Sequence, residues 1–487
     1  MRKLLLATVA ALSAGMGIAE TVQAQSFPTP GTVTVRLNGR FRFYGAIIND
    51  SDSFNNLQGT PSGTTPQTGT NKLANYQFGD YGRLYPGFDG VAANGLKYGA
   101  SMEIRQDAAS GAGGGIYGGI SQQGSARSTL YFRREWGYIG TDKIGTIRLG
   151  SVDGPLSLYL TGTFENFNDG GANGDFPGFL PGNLYGYWWP FADNGNEYTT
   201  TKAVYLSPQF FGFDFGVSFE PNTGNTLLNS GCGTSGFRGT SFVNPGGGLA
   251  GSTVTGTSTG STTGNLGTSA TTVGALGANG QSIAGPGCDA LSSTPTNDYT
   301  RRRNTFEGVA RYRGSFGAFG IAATAGYTTS GRVLDDSTPH RAVQYNGLSI
   351  GDFGLTVTYG GLSVGGNYQR GTYNGVWSLD PKGGINGEAY VLGASYTIGP
   401  VIVGVQYTEA TSTGDLVQTE AGRQRREQAL AVGATYSLAP GVALFASYFY
   451  DERKQNGFNF ITGTSGDFGS HNKVTGQVFG TGVGFSW

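Results

Sequence analysis

Apolar and polar residues alternate along this chain. Between Thr32 and Ile48, Val33, Val35, Leu37, Phe41, Phe43 and Ile47 fall on one face. Thr34, Arg36, Asn38, Arg40, Arg42 and Tyr44 fall on the other. A period of two residues is the signature of a β-strand with one apolar face. The pattern recurs at Leu96–Arg105, Phe213–Phe219, Val401–Thr408, Arg426–Tyr436 and Val442–Tyr450, and finally through Phe479, Thr481, Val483, Phe485 and Trp487. Sixteen such stretches are predicted. They span about 32–48, 72–89, 96–106, 128–140, 145–150, 199–207, 212–221, 304–313, 318–327, 345–358, 362–370, 387–397, 401–409, 425–437, 442–451 and 473–487.

The connections alternate too. Tight turns at Asp142-Lys143, Pro208-Gln209, Gly360-Gly361, Gly399-Pro400 and Pro440-Gly441 separate long Gly/Ser/Thr/Asn-rich segments. Short turns at one end and long loops at the other are the pattern of a transmembrane antiparallel β-barrel. A soluble β-sandwich also alternates, but nothing in its architecture requires this asymmetry of connections. The fold expected is all-β: an outer-membrane β-barrel of 16 strands, residues 25–487, with short periplasmic turns.

Two regions fall outside the alternation. At the N-terminus, Arg2 and Lys3 precede an apolar stretch from Leu4 to Ile18, and Val22-Gln23-Ala24 has the small residues of a cleavage site. Residues 1–24 are expected to be a signal peptide. Beyond it no run of about 18 apolar residues occurs, so spanning helices are excluded and a barrel is the remaining way to cross a membrane. Residues 222–303 are dominated by Gly, Ser, Thr and Asn and cannot bury enough apolar surface for a core. They are expected to form one long surface loop. Cys232 and Cys288 both lie in it, and in an exported chain they are expected to form a disulfide.

Composition supports strands and removes most chemistry. Gly makes up 87 of 487 residues, about 18% against about 7% in ordinary chains. Such glycine content opposes helices, while 26 Tyr and 30 Phe favour strands. The formal net charge is -1, which excludes a strongly basic nucleic-acid binder. With two Cys and two His, no metal site and no cofactor are expected. Gly113, Gly115 and Gly118 match a dinucleotide fingerprint but lack the flanking strand and helix. Two G-x-S-x-G matches, at 347–351 and 361–365, lie in strand sequence with no helix after them. His340 and His471 fall in loops, so no hydrolytic triad is expected, and the chain is not read as an enzyme.

If the apolar face meets lipid, the polar face lines a lumen. That face carries Arg36, Arg40, Arg42, Arg83, Arg105, Arg133 and Arg148 from the first five strands. The segment 151–198 supplies Asp153, Glu165, Asp169, Asp175 and Asp193, and contains no Lys or Arg. Folded inward, it would set a transverse field across the opening and favour polar solutes. Trp188 and Trp189 in the same segment either pack it against a wall or offer a stacking platform for sugars.

At several points the sequence resembles bacterial general diffusion porins. Tyr81-Gly82-Arg83-Leu84-Tyr85-Pro86-Gly87-Phe88 resembles that family's second strand. Arg134–Gly140 followed by Ile144–Ser151 is similar to the hairpin before its infolded third loop. Ala203–Pro208 with Phe211-Gly212-Phe213, and Tyr436–Val442 with the terminal aromatic, resemble later hairpins. The resemblance implies a homotrimer in the Gram-negative outer membrane that passes small hydrophilic solutes. It implies a basic cluster of Arg40, Arg42, Arg83, Arg105 and Arg133 at the constriction, with Arg133 and its neighbour Arg134 facing opposite ways. Asp153, Glu165, Asp169 and Asp175 are the acidic candidates in the third loop. Phe485 and Trp487 would form the signal read by the barrel-assembly machinery, and the belt would contact lipid and lipopolysaccharide. A sugar-selective channel, or a non-channel adhesin acting through 222–303, are the competing functions.

Overall fold

The structure, a computed structural model, describes residues 28–51, 74–106, 131–180, 189–192, 200–222, 242–243, 249–250, 302–332, 346–375, 377, 379–380, 382–414, 424–460, 464–465 and 471–487. The predicted signal peptide, Trp188, Asp193, and the loop 222–303 with Cys232 and Cys288, apart from its edges and one short hairpin, lie outside these residues.

Sixteen strands close into one antiparallel barrel. The first seven are β1 (Val33–Asp50), β2 (Tyr76–Val91), β3 (Lys97–Gln106), β4 (Tyr131–Thr141), β5 (Gly145–Ser151), β6 (Thr201–Leu206) and β7 (Phe213–Asn222). There follow β8 (Arg302–Phe316), β9 (Phe319–Arg332), β10 (Ser349–Tyr359), β11 (Leu362–Thr372) and β12 (Gly387–Ile398). The last four are β13 (Val401–Ser412), β14 (Arg425–Ala439), β15 (Val442–Lys454) and β16 (Lys473–Ser486). Each strand pairs with its neighbours in sequence, and β1 closes on β16 from Arg40↔Ser486 to Asp50↔Gly476. Closure removes every free edge, as a spanning sheet requires. Trp487 reinforces the seam: its N–H donates to the Gly39 carbonyl and its own carbonyl accepts from the Gly39 N–H, both at 3.1 Å. Tight turns are set by glycines such as Gly399 and Gly441, whose φ of +54° and +78° a side chain would strain.

The outward face is the apolar one. Phe41, Phe43, Phe78, Leu84, Phe215, Phe353, Leu392, Val405, Val432, Phe479 and Phe485 all lie exposed on it. No helix among the described residues is long and apolar enough to cross a membrane.

The inward face divides in two. From β7 round to β16 it is covered by the segment after β5. That segment begins with a short helix, α1 (Pro155–Tyr159), and continues through one-turn 3-10 helices at Gly171–Asn173 and Phe176–Phe179. It runs as a belt along the inner wall, seated on an inward glycine in one strand after another. Pro155 lies on Gly216, Leu156 on Gly326, Thr161 on Gly354, Phe164 on Gly393, Phe167 on Gly404, Asn168 on Gly433 and Phe176 on Gly480. A methyl group at Gly393 would come within 2.6 Å of the Phe164 ring. Hydrogen bonds sew the belt down: Asn166 Nδ2 to Ser395 Oγ and Asn168 Nδ2 to Ser447 Oγ, each 3.0 Å, and the Ala172 N–H to Gln406 Oε1, 2.6 Å. Phe164, Phe167, Phe176 and Phe179 are buried with Val391, Ala431, Phe449 and Val478 of the wall. Each such ring contributes about 1.5–3 kcal/mol. Tyr373, Trp377 and Leu379, from the connection after β11, are buried with Leu156 and Tyr159 on the same side. On β1–β5 the belt returns only at its far end, where the Phe176 and Phe179 rings pack on Tyr44 of β1.

Candidate functional site

The arginine wall is built by register. Arg40 on β1 stands directly opposite Arg83 on β2, and Arg83 opposite Arg105 on β3. Like charges in direct cross-strand register repel. Two devices hold them. The first is aromatic: Arg83 lies 4.3 Å and Arg40 5.4 Å from the centre of the Tyr81 ring. The second is Glu103, which is almost completely buried on β3. Its carboxylate accepts from Arg105, from Arg133 at 2.9 Å, and from Arg134. One carboxylate thus clamps three guanidinium groups.

That cluster corrects the expectation that Arg133 and Arg134 face opposite ways. The β3–β4 register shifts between Glu103, opposite Arg134, and Ile104, opposite Phe132. Arg133 is the extra residue, and such a bulge turns two successive side chains to one face. Arg134 continues to Asp153 at the start of the belt, pinning it to β4.

The belt's far end returns to the same wall. Asp169 and Asp175 converge on Arg42, Tyr44 and Tyr81. Arg42 donates to Asp175 Oδ2 at 2.9 Å and pairs with Asp169. The Tyr44 hydroxyl donates to Asp169 and lies 2.8 Å from Asp175 Oδ2; the Tyr81 hydroxyl lies 2.7 Å from the same oxygen. Burial pushes the Asp169 carboxyl up to about 7, against the pull of Arg42. Asp175, opposed by the same burial, is held well below the usual carboxylate range by Arg42 and then Arg83. Two buried carboxylates sharing one guanidinium titrate as a pair.

The acidic loop therefore touches the arginine wall at its two ends, through Asp153 and through Asp169 with Asp175. Between them Glu165 stays half-buried, accepting from Asn173 Nδ2 at 3.2 Å. Arg36 pairs with Asp89 at 2.5 Å. Arg40 and Arg148 have no carboxylate within ion-pair distance among the described residues; Arg148 lies 6.0 Å from the Trp136 ring centre. Trp189 is fully buried, its ring 5.0 Å from Phe191, so it packs the belt and presents no face to a sugar. Phe485 and Trp487 lie outward and exposed at the closing strand.

Sequence reasoning passed over Glu103, Tyr44 and Tyr81 as site residues. Glu103 stood two residues before Arg105 on the same predicted face, the one signal available for a paired charge. Among the described residues no group of His, Cys, Asp and Glu could hold a metal ion.

A family profile described as Gram-negative porin matches residues 7–456. No curated protein matches the chain. Among solved structures, the anion-selective porin from Comamonas acidovorans is similar at 14% identity and TM-score 0.50, over 94% of this chain and 100% of that one. A loop L8 deletion mutant of OmpT, an outer membrane protein of Vibrio cholerae, gives 11% and 0.48 over 93% and 99%. A mutant of Rh. blastica porin gives 14% and 0.41 over 93% and 100%. At 14% identity the likeness to the Comamonas acidovorans porin is one of fold.

Proposed function

This chain belongs to the Gram-negative porin family and is an outer-membrane channel protein, and from that premise we propose that its pore prefers anions among small hydrophilic solutes. The reading rests on the row Arg40, Arg83 and Arg105 in direct register on one wall, with Arg40 and Arg148 half-exposed and lacking a carboxylate partner among the described residues. A guanidinium in a narrow, low-dielectric opening attracts anions and repels cations over several ångströms. The porin from Comamonas acidovorans is itself called anion-selective, which agrees with this reading. No catalysis is assigned. The test is single-channel recording in a planar bilayer under a salt gradient. A reversal potential of anionic sign is expected; a cationic sign would reverse the assignment.

We further propose a homotrimer. Asp80 on β2 and Glu135 on β4 project outward, opposite Phe43 and Met102, and form no ion pair among the described residues. Charge on a lipid-facing surface is unfavourable, so this face suits contact with other copies. Native mass spectrometry in detergent should give a three-subunit mass. A monomer alone would overturn it. Flux linear in sugar concentration is expected; saturation would instead favour a sugar-selective channel.

A further inference from the structure

One large aromatic side chain of the inner wall belongs to no core. Trp136 on β4 faces the lumen, in the row Arg36, Gly87, Ser101, Trp136, Gly150 that crosses β1–β5. This row lies four residues along β1 from Arg40, about 13 Å toward the short turns. Among the described residues, Trp189 and Trp377 are fully buried and Trp487 lies outside the barrel, so Trp136 alone is a half-exposed tryptophan of the inner wall. It is part of neither apolar cluster that holds the belt. Its cross-strand neighbours are small, Ser101 on β3 and Gly150 on β5, and neither is long enough to cover the ring.

The next row toward the turns sets the charge beside it. It carries Asp89 on β2, Tyr138 on β4 and Arg148 on β5. Asp89 is already engaged: it pairs with Arg36 at 2.5 Å and accepts from the Tyr138 hydroxyl. Asp153, also near Arg148, pairs with Arg134. Arg148 is left half-exposed, with no carboxylate within ion-pair distance among the described residues. Its guanidinium carbon lies 6.0 Å from the centre of the Trp136 ring, at the outer limit of a cation–π contact. An aromatic face and a guanidinium thus stand side by side on adjacent strands, neither committed to the other.

We propose that Trp136 and Arg148 form a binding station for aromatic carboxylates passing through the pore. The flat ring of the solute stacks on the indole, and its carboxylate accepts charge-assisted hydrogen bonds from the guanidinium. The spacing of the two groups suits an acid whose carboxylate is joined directly to the ring. An inorganic anion would use the guanidinium without the indole, and a neutral sugar the indole without the guanidinium. A single two-point station holds a solute long enough to favour its entry and still releases it, as conduction requires. The inference rests on the channel reading and adds a solute class to it; it does not depend on the sign of the overall ion preference.

The test is block of the chloride current in single channels by 2-naphthoate and by its saturated analogue, decahydro-2-naphthoate. The two acids share charge and carbon skeleton and differ in the flat aromatic face. In the wild type, 2-naphthoate should reach half-block at a concentration at least fivefold lower than the saturated acid. Trp136→Leu should bring the two acids to equal concentrations, and Trp136→Phe should keep most of the difference. Arg148→Gln should weaken both acids alike, by several-fold. Trp136→Gln serves if the leucine variant does not fold. Equal half-block by the two acids in the wild type overturns the station, as does a difference that survives Trp136→Leu. Block by neutral 2-naphthamide as strong as that by 2-naphthoate also overturns it, since Arg148 would then contribute nothing. Failure of the channel reading would show separately, as no chloride current in the wild type before any acid is added.

Discussion

The two halves of the inner wall have the same backbone and opposite uses. On β1–β5 many inward positions are long and charged; Arg42, Arg83 and Arg105 are buried among one another, while Arg40 and Arg148 stay half-exposed. On β7–β16 the inward positions at belt height are glycines, and the wall is filled to the core by the belt. Charged residues occur on both sides, but their surroundings differ. Arg40 and Arg148 lack carboxylate partners among the described residues, whereas Arg453 on β15 is wholly buried and bound to Glu427. A half-exposed arginine such as Arg40 acts on what passes; a wholly buried one such as Arg453, beneath the Phe460 ring, acts on stability. The glycine track makes this division possible, because only a strand without side chains at that height lets a second layer of backbone lie against it.

The division can be broken most severely from the filled side. Arg453→Gln leaves Glu427 as a buried carboxylate without its main partner, and breaking such a pair costs about 3–5 kcal/mol. Urea or thermal unfolding in detergent should show this loss, while surviving channels keep wild-type ion selectivity. A selectivity change would place Arg453 in the conducting path. Next comes Gly404→Val, which drives a side chain into the Phe167 ring. Overpacking of this kind costs about 1–3 kcal/mol, and the displaced belt should alter conductance. Gly308→Ala is the control. It lies on the outer face of β8, away from the face proposed for contact between copies, and a new Cβ there meets only the Phe306 ring at 3.8 Å, so neither stability nor conductance should move appreciably.

How much of this contrast was legible beforehand follows from what strand periodicity encodes. Alternation fixes which side chains face inward, and all sixteen predicted strands are present with ends shifted by a few residues. It carries no account of what covers a face. Gly393, Gly404 and Gly433 look like any strand glycine until the belt is laid across them. Trp377 looked like a loop residue, yet it is buried beside Leu379. Arg133 defeated the periodic argument outright: a bulge resets the alternation, and nothing in Phe132-Arg133-Arg134-Glu135 announces one. Asp153, Asp169 and Asp175 were chosen for their charge, but their partners follow from the belt's path.

From the open side the effect is on permeation. Arg40→Ser with Arg148→Ser removes the two cations of this wall that have no carboxylate partner among the described residues, so no buried acid is uncovered. The anion-to-cation permeability ratio should fall several-fold, read from reversal potentials, with the unfolding midpoint nearly unchanged. Arg133→Ser should do less, because Glu103 keeps Arg105 and Arg134. An unaltered ratio in the double variant would mean that ions pass elsewhere.

The smallest expected effect concerns the point where the two walls meet. Asp169 and Asp175 face Arg42, Tyr44 and Tyr81, with Arg40 and Arg83 nearby. The raised carboxyl, Asp169, takes up a proton as pH falls through about 7. A proton there removes one negative charge beside the arginine wall, so anion preference should increase modestly from pH 8 to pH 6. The effect on stability has a definite sign. Above its unfolded pKa, near the ordinary carboxylate value, an acid whose folded pKa is raised is increasingly destabilising up to the folded value, so its part in holding the belt weakens as pH rises toward 7. Asp175, held low, contributes in the opposite sense, and its part is lost only in strong acid. Asp169→Asn should flatten the pH dependence of selectivity between pH 6 and 8 while leaving the arginine contribution intact. A pH response that persists in this variant would assign the titration to another group and leave the meeting point of the walls electrically fixed.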